Sequence, residues 1–226
     1  MSVRVYVATA VSNEAPFLLE WVAHHRAMGF AGAILFTYGS ADGTDAMVAR
    51  LAEMGHAHAV PMKVKKSKDP MRQAMRDLPD IAQEIGADWC LVAHIDEYLQ
   101  ITAGDGMVTD LIEACGSPDA ISVSRRAFGS SGHRGIPQGQ LRETHRLAAY
   151  FAAPSPVVAM LRIGVPLYAA KLTAFEANWR KLDINETADD SMGRAVGLSD
   201  PFLAEFNTDE TLRNLQEAGR AWYADQ

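Results

Sequence analysis

Apolar positions along the first hundred residues fall into runs of two kinds that alternate. Val3 to Val11 (VRVYVATAV) is dense in β-branched residues and predicts a buried opening strand. Asn13-Glu14 follow. Ala15 to Met28 then carries Pro16 in its first turn, apolar Phe17, Leu18, Trp21, Val22 and Met28 at helical spacing, and Gly29 as a stop, which predicts a helix. Gly32 to Thr37 predicts a second strand, Tyr38 to Gly43 a turn, and Thr44 to Met54 a helix ended by Gly55. The pattern repeats with a third strand over His56 to Val60, a basic loop over Pro61 to Pro70, and a helix over Met71 to Ile85 that Gly86 ends. A fourth strand follows over Trp89 to Ile95 (WCLVAHI). Such alternation predicts an α/β fold, a mostly parallel Rossmann-like sheet flanked by helices. Ligands of parallel sheets collect outside the carboxyl ends of the strands. Asn13-Glu14, Thr37 to Asp42 and His94 to Glu97 are therefore expected to line one crevice.

Beyond residue 100 the alternation weakens and a less regular C-terminal part is expected. Asp110 to Cys115 reads as a short helix and Ala120 to Phe128 as a strand. Gly129 to Gly139 reads as a Gly- and Ser-rich loop, and Val157 to Lys171 as a strand pair or a strand and turn. Asn207, with Glu210 three residues on, resembles a capping box opening a helix to about Tyr223. A chain of 226 residues fits one domain, 1–226, with one core.

Composition changes this picture little. Hydrophobic residues at 48% and charged residues at 22% exclude wholesale disorder, collagen and coiled coil. A net charge of −7 argues against a surface that tracks nucleic acid or anionic lipid as a whole. The positive charge is concentrated: Lys63, Lys65, Lys66, Lys68, Arg72 and Arg76 crowd one stretch, and five Arg crowd 125–146. These are either a local anion site or two solvated segments. Cys90 and Cys115 lack metal-ligand spacing and predict two buried thiols in a reduced compartment. The longest uncharged run, Leu147 to Leu161, is broken by Pro154 and Pro156 and too short to span a bilayer, so no integral membrane segment and a cytoplasmic location are expected.

The string WCLVAHIDEYL, 89 to 99, is an apolar strand ending in polar His94, Asp96 and Glu97. Period-two geometry would put His94 and Asp96 on one side, where they could hold Mn²⁺ or Mg²⁺. The competing reading is a satisfied core histidine and a turn-capping aspartate. In GSSGHRG, 129 to 135, small residues allow His133 and Arg134 to approach a ligand; a plain loop is the alternative. Arg125 and Arg126 are phosphate neutralisers or surface charges. Asp42 and Thr44 fit a helix cap. His56 and His58 read as structural, and His24 and His25 belong to the first helix. Nucleophile elbow, P-loop and G-x-G-x-x-G are all missing from the sequence.

Taken in order, NEAPFLLEWVAHHRAMGF (13–30), GSADGTD (39–45), RQAM (72–75), WCLVAHIDEYL (89–99) and RRAFGSSGHRG (125–135) resemble the glycosyltransferase family 2-like group, related to the DUF23/family 92 transferases. The resemblance covers about residues 3–140. It implies a GT-A-like fold, with 1–100 as the nucleotide-binding half and 101–226 as the acceptor-side half and C-terminal helix. The implied activity is metal-assisted transfer of a sugar from a nucleoside-diphosphate sugar, UDP-sugar first among them, to a glycan or other hydroxyl acceptor. By the same resemblance Asn13, Glu14, Thr37 and Asp42 would lie at the nucleotide; the charge that the leaving diphosphate gains would call on Lys65, Arg126 and Arg134 as helpers. His94, Asp96 and His133 would hold the Mn²⁺ or Mg²⁺. Asp96 and Glu97 would serve catalysis, with Glu143 or His145 as alternative bases; the competing role for Glu97 is structural, bonding a neighbouring loop. The chain departs from the family pattern at His94, where the first acid of D-x-D is expected, and at Thr37-Tyr38, where Asp-Asn is common. These departures favour a second reading, a non-catalytic GT-A-like module that binds a glycan or nucleotide. A metal-dependent hydrolase is a third.

Overall fold

The structure, a computed structural model, describes residues 2–64, 68–124, 128, 130–134, 139–145, 157–164, 179–182 and 201–225. Strands β1 (Val5–Val11), β2 (Gly32–Thr37), β3 (Ala57–Pro61) and β4 (Trp89–Val92) alternate with helices α1 (Ala15–Ala27), α2 (Thr44–Glu53) and α3 (Pro70–Glu84). β1 pairs in parallel with both β2 and β4, and β2 with β3. The less regular part supplies α4 (Val108–Ala114), β5 (Ala120–Ser124), α5 (Leu141–Thr144), β6 (Val157–Arg162) and β7 (Trp179–Leu182). A helix α6 over 201–208 and a C-terminal helix α7 (Glu210–Ala224) complete the described elements. The sheet runs β3-β2-β1-β4-β6-β5-β7, with β6 antiparallel to both its neighbours. The expected α/β fold, a mostly parallel sheet flanked by helices, is what the chain forms.

Alternation along β1 and β2 divides the core between two faces. Val5, Val7, Val11, Ala33 and Leu35 pack with α1 and α2, while Tyr6, Ala8, Ile34 and Phe36 pack against the Ala74, Leu78 and Ala82 stripe of α3. The chain steps outward from β1 to β3 and then returns to place β4 on the other side of β1. Right-handed crossovers put α1 and α2 on one face and α3 on the other, as the two clusters show. The reversal makes the gap between β1 and β4 the topological switch point, where a sheet of this kind opens a crevice.

Several boundaries differ from expectation. The fourth strand ends at Val92 rather than Ile95: its register with β1 stops at Ala8↔Val92, and the chain then turns at 95–96. His94 and Asp96 therefore belong to a turn, and strand alternation does not relate them. The C-terminal helix is capped by Asp209, whose side chain accepts the Leu212 amide at 2.9 Å, so the Asn207 capping box is not formed. The fifth strand is described to Ser124; 125–127 and 129 lie outside the described residues, as do 165–171 of the expected Val157–Lys171 segment. Cys90 and Cys115 are both buried free thiols, and burial pushes Cys90 up to about 12. Among the described residues no helix is long and apolar enough to cross a membrane.

Candidate functional site

At the switch point the turn after β1 is held by its neighbours. Asn13 adopts φ +58°, a left-handed conformation that asparagine tolerates better than most residues, and its Oδ1 accepts the Ala41 amide at 2.7 Å. The Glu14 amide donates to Thr44 Oγ1 at 2.7 Å, and the Ala15 amide to Asp42 Oδ2 at 2.9 Å. Asp42 Oδ1 in turn accepts both the amide and the hydroxyl of Thr44. Asp42 and Thr44 thus satisfy free amides at the starts of two helices, as their capping roles require. Glu14 itself is half-buried, and its carboxyl is pushed up to about 7, by burial first and then by the charges of Asp96 and Asp42. Tyr38, after β2, and Tyr223, on α7, are both raised by burial and then by Glu14, so two phenols also face this carboxylate. Glu14, from the first expected segment, thus lies within electrostatic reach of Tyr38 and Asp42 in the second and of Asp96 in the third.

The third wall is the turn after β4. The Glu97 amide donates to the His94 carbonyl at 3.0 Å, and the Glu97 carboxylate accepts the His94 amide at 2.8 Å. Trp21 Nε1 donates to both the His94 and Glu97 carbonyls. Glu97 therefore holds the turn's shape, the structural alternative to catalysis. The turn leaves the His94 and Asp96 side chains exposed, so His94 is not a core histidine.

Beneath that turn is a polar cluster that the residue pattern did not reveal. Glu20, 6% exposed, accepts the Leu141 and Arg142 amides and the Arg142 Nε. Arg142, 4% exposed, reaches His24 Nδ1 at 2.8 Å and Gln140 Oε1 at 2.8 Å, and lies over the Tyr98 ring. A guanidinium only donates, so His24 Nδ1 must accept and its proton sits on Nε2, which donates to the Leu99 carbonyl at 2.6 Å. His24 is accordingly held neutral and well below its ordinary range, by burial first and then by His25 and Arg142. This clasp ties α1 to α5 and to the 94–99 turn. One sign of it was available: Glu20 interrupts the apolar stretch Phe17 to Val22, where an ionised group needs a buried partner.

Among the described residues no group of three His, Cys, Asp or Glu gathers to hold a metal ion. His133 is exposed; its Nε2 lies 3.3 Å from the Thr144 carbonyl, and its ring is 5.6 Å from that of His145. The α5 segment, anchored by Glu20, takes that histidine into its own hydrogen bonds. Arg134 is exposed, and Thr37 is buried at the end of β2. Lys65 and Arg126 lie outside the described residues. His145 Nδ1 meets Thr144 Oγ1 at 3.1 Å, and His56 meets Glu205 at 3.0 Å beneath α6, the structural role expected of it.

No family profile matches the chain, and no curated protein matches it. Among solved structures the chain is similar to a 1–349 fragment of S. aureus TarS, at 14% identity and TM-score 0.39 over 70% of this chain and 47% of that one. It is also similar to the mannosyltransferase PcManGT from Pyrobaculum calidifontis, in complex with GDP-Man and Mn²⁺, at 20% identity and TM-score 0.41 over 54% and 34%. A third is a 4-diphosphocytidyl-2C-methyl-D-erythritol synthase, at 11% identity and TM-score 0.46 over 88% and 97%. The chain spans less than half the length of the first two.

Proposed function

We propose that the crevice between β1 and β4 binds a nucleoside-diphosphate sugar and that the chain transfers the sugar to a hydroxyl acceptor. The observation that carries this reading is the meeting of Glu14, Asp42 and Asp96 at the carboxyl ends of β1, β2 and β4, where the chain reverses direction across the sheet. The sequence resemblance supports the same assignment, with 1–100 as the nucleotide-binding half and 101–226 as the acceptor side. Asn13, Glu14, Thr37 and Asp42 belong to the turns that would receive the nucleotide.

Transfer demands that a hydroxyl lose its proton as the diphosphate leaves. A carboxylate with its pKa near 7 suits that exchange at neutral pH, and Glu14 meets the condition. Asp96, exposed in the same crevice, is the second acid, and Glu97 keeps its turn in place. The leaving diphosphate needs positive charge nearby, for which Lys65, Arg126 and Arg134 are proposed. Mn²⁺ or Mg²⁺, for which His94, Asp96 and His133 are proposed as ligands, stays an implication of the resemblance. The departures from the family pattern at His94 and Thr37 favour the second reading, a non-catalytic module that recognises a nucleotide or glycan.

Calorimetry with UDP, GDP, CDP and dTDP, with and without Mn²⁺, followed by a transfer assay on the matching sugar nucleotides, tests both. Micromolar nucleotide binding with transfer supports the enzyme. Binding without turnover or hydrolysis selects the module, and absence of any binding sinks both. With Mn²⁺ present, Asp96→Asn is expected to weaken nucleotide binding at least tenfold, while His56→Ala leaves it intact.

A further inference from the structure

The crevice is not built by the sheet alone. Helix α7 packs along α2 and over the amino end of α1, and touches the turns after β1 and β2. At one end the Tyr223 hydroxyl donates to the Asn13 carbonyl at 2.5 Å, and its ring stands edge-on to Phe17 at 5.8 Å. In the middle, Gly219 lies so close to α1 that an added Cβ would stand 2.5 Å from the Ala15 Cβ and 3.4 Å from the Asp42 carbonyl oxygen. Gln216 Nε2 donates to the Pro16 carbonyl at 3.3 Å, and Leu215 covers Gly43, the left-handed residue before α2. At the other end Asp209 takes Arg50 through both Nε and Nη2. Asn13 combines a left-handed backbone with an Oδ1 bond to Ala41 and a carbonyl bond to Tyr223.

We infer that Tyr223 is a positioning residue for the crevice, its hydroxyl fixing the Asn13-Glu14 turn so that Glu14 is presented to a bound nucleotide. An asparagine at positive φ gains little from its own conformation, so an outside anchor decides how firmly the turn is kept. The assignment of a nucleotide rests on the function proposed above; the fixing of the turn does not.

Tyr223→Phe removes only the hydroxyl and leaves the Phe17 contact in place. Two readouts separate the claims. Hydrogen exchange on the intact chain should show the Glu14, Ala15 and Ala41 amides at least tenfold less protected in the variant, while amides of β1, β2 and β4 keep their protection. Calorimetry with UDP should then show at least a fivefold weaker affinity than the unaltered chain. Gly219→Ala, which pushes the helix off Ala15, should reproduce the same local loss. Unchanged exchange at the turn, or an equal loss over the whole sheet, overturns the positioning role whatever UDP does. A looser turn with undiminished UDP affinity overturns its link to the ligand. If the unaltered chain fails to bind any of the nucleotides, the proposed function falls while the exchange result still decides the role of Tyr223.

Discussion

Glu14 and Glu20 belong to the same stretch of chain and meet opposite surroundings. Glu20 is buried among donors: two backbone amides and the Arg142 guanidinium reach its carboxylate, and the resulting clasp locks α5 onto α1. Glu14 is half-buried with like charges for company, and among the described residues no donor reaches its carboxylate, so it gives up its proton only near pH 7. The difference separates scaffold from site. A buried charge met by several donors makes a fixed joint, whereas one raised by burial and like charges is ready to exchange a proton or receive a ligand.

The largest effect should come from breaking the joint. Arg142→Met strands Glu20 and removes the donor to His24, at an expected cost of about 3–5 kcal/mol in urea unfolding. Combining it with Glu20→Gln should restore part of that loss, because no unpaired charge is then left inside. A single-variant cost below about 1 kcal/mol would mean the cluster is not the anchor described.

Acid provides the next contrast, because the two regions respond with opposite sign. His25 is held down to about 4, mainly by burial, and His24 is lowered in the same direction. Below pH 6.5 the unfolded chain takes up these protons first, so this stabilisation is complete above 6.5 and is lost progressively towards pH 4. His25 alone accounts for up to about 3 kcal/mol. Glu14, raised to about 7, works the other way: its contribution is complete below about pH 4.5 and is lost as pH rises through 7. Glu14→Gln should therefore gain about 1 kcal/mol at pH 8, discounted for partial exposure, and nothing at pH 4.5. Thermal unfolding of both proteins across pH 4–8 reads the crossing; parallel curves would refute it.

The open region was legible in the sequence and the closed one was not, for physical reasons. Periods of 2 and 3.6 are local, so β1 through α3 announce themselves, and the switch-point crevice follows from their order. The end of β4 was misread because His94 and Asp96 continue a period of two past the point where the sheet stops, at Ala8↔Val92. What ended the strand is the Glu97 carboxylate reaching back to the His94 amide, a bond that no periodicity encodes. Glu20 and Arg142 are 122 residues apart, and Asn13 and Tyr223 are 210 apart, so both pairings exist only once the chain has folded. Glu20 showed its half of the first as a charge in an apolar run; Tyr223 showed nothing.

The smallest expected effect is also the sharpest test of why Glu14 is unlike Glu20. Asp96 is exposed, so Asp96→Asn should change stability by no more than about 0.5 kcal/mol. Yet Asp96 is the larger of the two charges raising Glu14, second only to burial. Removing it should bring the Glu14 titration, followed by carboxyl-carbon NMR, part of the way back to the ordinary glutamate range, with burial and Asp42 keeping it above. A midpoint that does not move would mean that Glu14 and Asp96 do not share one cavity, and the crevice would lose the wall supplied by the turn after β4.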